Sequence, residues 1–81
     1  MTWNYRIVHY KDGFGLHEVY YDAAGLPWGM TDAPVRFTCD DEEGPAGVIK
    51  SLERALKDAR ERPVFDVPAD DEWPGNAPEQ E

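Results

Sequence analysis

The sequence predicts an α+β domain: an antiparallel β-meander of three to four strands with one amphipathic helix packed on one face. Two observations carry that expectation. The runs Trp3 to Tyr10 and Phe14 to Tyr21, both rich in aromatic and β-branched residues, flank a Lys11-Asp12-Gly13 turn, which is the signature of a hairpin. Further on, Val48, Ile49, Leu52, Ala55, Leu56 and Ala59 recur at helical spacing and mark a single amphipathic helix.

A three-residue hairpin loop with Gly13 in the left-handed conformation sets Arg6 opposite Glu18, Tyr5 opposite Val19, Trp3 opposite Tyr21 and Val8 opposite Leu16. In that register Trp3, Tyr5, Ile7, Val19 and Tyr21 share the core face, and Arg6 and Glu18 form a cross-strand ion pair on the other. A turn at Asp22-Ala23-Ala24-Gly25 leads into a third strand, Leu26 to Thr31, which Pro27 assigns to an edge or an irregular start. After the break at Asp32-Ala33-Pro34, the alternating Val35 to Thr38 is a short fourth strand or the third continued past a bulge. Pro45 fits the first helical position, and the acids Asp40 to Glu43 complement the positive end of the helix. Arg60 and Arg62 suit its opposite end, and Pro63 stops it. Val64 to Val67 returns to the sheet or packs over the helix end.

From Pro68 the chain reads PADDEWPGNAPEQE, with no base and three prolines, which is the composition of a disordered tail. The expected organisation is one domain over residues 1–67 and an acidic tail over 68–81. Trp73, the one large apolar residue of that tail, is a recognition anchor, a fold-back contact or a residue with no chemical role.

Seventeen acids against eight bases give a net charge of −9, which disfavours nucleic acid and anionic lipid as partners. Five of the bases, Lys50, Arg54, Lys57, Arg60 and Arg62, fall in the one predicted helix, where they alternate with Glu53, Asp58 and Glu61 as a mildly positive, solvated strip. A single cysteine, Cys39, cannot form an internal disulfide. With no basic region leading an apolar run and no long apolar stretch, the expectation is a cytoplasmic protein with no membrane association.

No spacing in the chain supplies a nucleophile with its base, a phosphate-cradling glycine loop or a paired-cysteine knuckle, so the expectation is a non-enzymatic protein with no cofactor and no metal. Gly13-Phe14-Gly15 lacks a third glycine and leads into a strand. The expected register brings His9 and His17 together on one face, which could begin a metal site, but a third ligand is missing and packing explains them as well. Asp40 to Glu43 lacks the alternating oxygen donors of a calcium loop.

One helix covers one face of such a sheet. The other face, carrying Val8, Tyr10, Leu16 and Tyr20 around Arg6 and Glu18, is more aromatic than solvation requires, so it is the expected interaction face for a homodimer or another protein. A small-ligand or enzymatic site formed only at a dimer cleft is the alternative.

The strings Trp3-Asn4-Tyr5-Arg6-Ile7 and Phe14-Gly15-Leu16-His17-Glu18-Val19-Tyr20-Tyr21-Asp22, with the helix Ser51 to Leu56, resemble a group of small bacterial proteins to which no activity is attached. The topology also resembles HicB-type antitoxins, in which a three-stranded meander precedes an amphipathic helix. That resemblance implies an acidic partner for a small basic protein. Leu26-Pro27-Trp28-Gly29 stands where such antitoxins carry a proline-glycine element, and no DNA-binding segment follows it.

Overall fold

The computed structural model describes residues 2–39 and 41–77. Its elements are β1 (Thr2–Tyr10), β2 (Gly13–Tyr21), β3 (Pro27–Met30), α1 (Pro45–Glu61) and β4 (Phe65–Asp66). The fold is α+β, with a four-stranded curled sheet in the order β3-β2-β1-β4 that forms a half-barrel. The sheet is mixed, which corrects the expected antiparallel meander. β4 pairs parallel to β1, Val8 opposite Phe65 and His9 opposite Asp66. A parallel partner needs a crossover, and α1 provides it.

The hairpin register also differs from expectation. Tyr10 pairs with Gly13, leaving Lys11 and Asp12 as a two-residue loop, so Tyr5 faces Glu18, Arg6 faces His17 and Val8 faces Gly15. Gly15 gives the physical reason. The ring of Tyr10 lies across it, so closely that a Cβ there would come within 2.7 Å of Tyr10 Cε2. From that position the Tyr10 hydroxyl reaches His17 Nε2 on the same face. An aromatic ring covering a neighbouring glycine pins a register that alternation alone leaves open.

The new register sorts the side chains differently. Trp3, Tyr5, Ile7, Leu16, Glu18 and Tyr20 share one face. Arg6, Val8, Tyr10, His17, Val19 and Tyr21 share the other, and on it Val8 and Val19 are fully buried and His17 is 1% exposed. Past β3 the chain keeps following β2. The Thr31 N–H donates to the Glu18 carbonyl at 3.0 Å and Val35 to Leu16 at 2.8 Å, with Asp32-Ala33-Pro34 bulging between them.

α1 begins with Pro45 in its first turn, as its fixed φ favours. It ends where Arg62 turns extended and donates its N–H to the Asp58 carbonyl at 3.1 Å, just before Pro63. The helix rests on β1 through Ala55 and Asp58, which are buried, and not through the leucine stripe that the spacing points to.

The segment after β4 crosses the face that the helix leaves free. Trp73 packs on Phe65 at 5.7 Å, and Phe65 sits beside Val8 in the sheet. Farther on, the Gly75 N–H donates to the Pro27 carbonyl at 2.8 Å and the Asn76 N–H to Asp22 Oδ2 at 3.1 Å. This strap therefore runs from the β4 edge to the β3 edge. The remainder of the expected tail, residues 78–81, lies outside the described residues, as does Asp40.

Candidate functional site

The six residues of the expected interaction face are not brought together. Leu16, Glu18 and Tyr20 lie on the Tyr5 face, and Arg6, Val8 and Tyr10 on the strapped face, with Val8 fully buried. The Arg6 to Glu18 ion pair does not form. Arg6 instead donates through Nη2 and Nε to the Pro63 carbonyl, at 2.9 and 3.2 Å, and through Nη1 to the Tyr21 hydroxyl at 2.9 Å. Glu18 accepts from the Tyr20 hydroxyl at 3.2 Å. Burial, and then the charge of Glu18, push the Tyr20 phenol above its ordinary range. Trp28 stacks on the same ring at 5.6 Å.

The two histidines are also separated, on opposite faces. His9 stacks on Phe14 at 4.8 Å and pairs with Asp66 at 3.3 Å in the open. His17 is enclosed. Its Nδ1 lies 2.9 Å from both the carbonyl and the hydroxyl of Thr31. A carbonyl can only accept, so Nδ1 carries the hydrogen and Nε2 accepts from the Tyr10 hydroxyl. Both ring nitrogens are thereby satisfied, and the imidazole ties the end of β3 to β2. Among the described residues no group of three His, Cys, Asp or Glu side chains stands at metal-binding distance. Cys39 donates its thiol to the Gly44 carbonyl at 3.0 Å and so closes the turn into α1.

Two features stand out in place of the expected face. The first is on α1. Ile49, Leu52 and Leu56 are 54%, 47% and 52% exposed, and their i, i+3, i+7 spacing aligns them in one stripe pointing away from the sheet. Lys50, Glu53 and Lys57 flank it.

The second lies where the edge of β1 meets the helix. β4 covers β1 only at Val8 and His9, so the N-terminal half of the strand would present unpaired backbone groups. Asp58 Oδ2 accepts the Tyr5 N–H at 3.1 Å, and Arg54 Nη2 donates to the Trp3 carbonyl at 3.4 Å. The Arg54 guanidinium also sits 4.0 Å over the Trp3 ring. Burial, followed by the charge of Glu18, holds the Tyr5 phenol above its ordinary range.

Sequence reasoning placed Asp58 and Arg54 on a solvated face and so missed both. A signal was available. Ser51, Ala55, Asp58 and Ala59 form a second stripe of short side chains beside the leucines, and short side chains permit close approach of a helix to a strand.

The fold and these surfaces define a small α+β protein with a half-barrel sheet, an exposed apolar helix stripe and an edge cleft. Compared with protein-family models, curated proteins and solved structures, the chain matches none. No helix among the described residues is long and apolar enough to cross a membrane.

Proposed function

We propose that the protein is a non-catalytic module that self-associates through α1. The observation that carries this reading is the stripe of Ile49, Leu52 and Leu56, each about half exposed on a helix whose other side is already packed. Three aligned aliphatic side chains left in water are a standing driving force for association, at roughly 25 cal/mol per Å² of apolar surface removed. This relocates the interaction surface from the sheet to the helix.

The occupant is a second copy of this chain, because the stripe and its flank complement themselves. In an antiparallel pairing about a two-fold axis, Leu52 of each copy meets Leu56 of the other, and Glu53 comes beside Lys57 of the other copy twice. A single helix pair is a small interface, so the dimer is transient, with a dissociation constant of about 10 µM or weaker.

Sedimentation equilibrium across a concentration series tests this. The mass average should rise toward twice the monomer, and Leu52→Glu and Leu56→Glu should hold it at the monomer while leaving the circular dichroism unchanged. A wild-type chain that stays monomeric up to about 1 mM rejects the reading. So does a Leu56→Glu chain that dimerises as well as wild type, and a mixed complex with another protein in place of the homodimer would transfer the stripe to that partner.

A further inference from the structure

The edge of β1 opens into a cleft of about 480 Å³, lined by Arg6, Arg54 and Arg62 together with Trp3, Asn4 and Tyr21. Three arginines line it against one carboxylate, Asp58, whose Oδ2 is already engaged by the Tyr5 N–H. On a chain of net charge −9 this is a local reversal of sign. Screening over about 8–10 Å makes the local charges, and not the distant total, decide what enters.

Two of the arginines, Arg54 and Arg6, are held in place before any ligand arrives. Arg54 lies on the Trp3 ring at 4.0 Å. Arg6 is fixed by Pro63 and by the Tyr21 hydroxyl, which in turn donates to Asn4 Oδ1 at 2.8 Å. Because Asn4 accepts through its oxygen, its amide nitrogen is free to donate. Arg6 spends one N–H from each of its three nitrogens and keeps two more, and the Arg62 side chain has no hydrogen-bond partner among the described residues. The cleft lining thus carries two fixed arginines and one unengaged one, and guanidinium forks match oxyanions in bidentate geometry.

We infer that this cleft binds a small organic molecule through an oxyanion group, a phosphate or a carboxylate, held by Arg54, Arg62 and Arg6. Its volume falls in the range of small-molecule sites. Among the described residues no hydroxyl of the lining is hydrogen-bonded to a carboxylate or imidazole base, so the role assigned to the cleft is binding.

Isothermal titration calorimetry with inorganic pyrophosphate and with citrate separates the two sources, and nitrogen-resolved NMR of the Arg54 Nε–H and the Trp3 indole locates the site. At least one probe should bind, more weakly as sodium chloride rises, with shifts at both reporters. Arg62→Gln removes a side chain that holds nothing else, so it should keep the fold and lose about tenfold or more in affinity. Arg36→Gln, outside the cleft, should change nothing. Pyrophosphate alone binding assigns a phosphate ligand, citrate alone a carboxylate, and both together support the shared chemistry with the tighter probe naming the group. Neither probe binding at about 10 mM, or an Arg62→Gln chain that binds like wild type, overturns the inference.

Discussion

Replacing Asp58 by alanine removes the acceptor of a buried strand-edge donor, and its cost follows from the geometry. Asp58 is 9% exposed and its Oδ2 takes the Tyr5 N–H at 3.1 Å, while Tyr5 itself is 6% exposed. No water reaches that N–H easily, so leaving it unpaired costs about 1–3 kcal/mol. The Arg54 contact at 3.8 Å joins a half-exposed guanidinium and adds about 0–1 kcal/mol. The sum, about 1–4 kcal/mol and centred on about 2.5 kcal/mol, is a large share of the roughly 4–12 kcal/mol that a chain of this size has in total. At about 4–8 °C per kcal/mol, the Tm of Asp58→Ala should fall by about 10–20 °C. Asp58→Asn keeps a carbonyl oxygen for the same donor and should cost about 1 kcal/mol. Urea unfolding followed by circular dichroism measures both, and amide exchange at Tyr5 should accelerate in the alanine variant. If Asp58→Ala unfolds within about 0.5 kcal/mol of wild type, or if asparagine costs as much as alanine, the edge-pairing account is wrong.

Two further outcomes test the sheet. Gly15→Ala drives a Cβ into the Tyr10 ring, so it should destabilise by about 1–3 kcal/mol and disturb the His17 tautomer seen by imidazole NMR; a neutral Gly15→Ala with an unchanged His17 signal would show that the Tyr10 ring does not pin the register. At alkaline pH, Tyr5 and Tyr20 have folded values raised above the ordinary 10.0, so the folded chain holds their protons more tightly than the unfolded one. The stability from keeping these phenols neutral is fully present below about pH 10 and is lost as pH rises through the folded values. Unfolding free energy should therefore fall above about pH 10, and a Tyr5→Phe/Tyr20→Phe chain should lose less of it.

The helix, its proline start and its proline stop were legible because they rest on local rules: periodicity, a fixed φ and a missing N–H. The hairpin was legible as an element and not in its register. Alternation is satisfied equally well in either direction of a one-residue slip, and the arbiter, Tyr10 lying over Gly15 to reach His17, is a diagonal contact that no pairwise count of opposite residues weighs. That slip alone dispersed the expected interaction face, since it moved half of its members through the sheet. The strap was illegible for a different reason. Its composition is that of a disordered segment, yet one ring, Trp73 against Phe65, and two backbone bonds to β3 and Asp22 carry it across the sheet. Asp22 is organised to receive it. Its carboxylate accepts N–H groups from Leu26, Asn76 and Ala24, and these, the Leu26 bond first, hold it below the ordinary carboxylate range.

The rotation of α1 links the edge of the sheet to the exposed stripe. Facing Ile49, Leu52 and Leu56 toward β1 would bury apolar area worth about 1.5–3 kcal/mol for each side chain fully enclosed, and half of that for one already half covered. Against this stands the edge of β1. A two-residue β4 leaves the backbone at Trp3 and Tyr5 without a strand partner, and an apolar helix face laid over it would strand a donor and an acceptor at about 1–3 kcal/mol each. The terms are comparable, and the observed helix presents Asp58 to the donor and Arg54 to the acceptor, with Ala55 small enough to let it approach. Satisfying the edge thus turns the leucines outward. A longer β4 would relieve that constraint, so the shortness of β4 and the exposure of the stripe are one feature of the fold, and the second copy proposed to dock on α1 would recover the apolar burial that the edge prevents within a single chain.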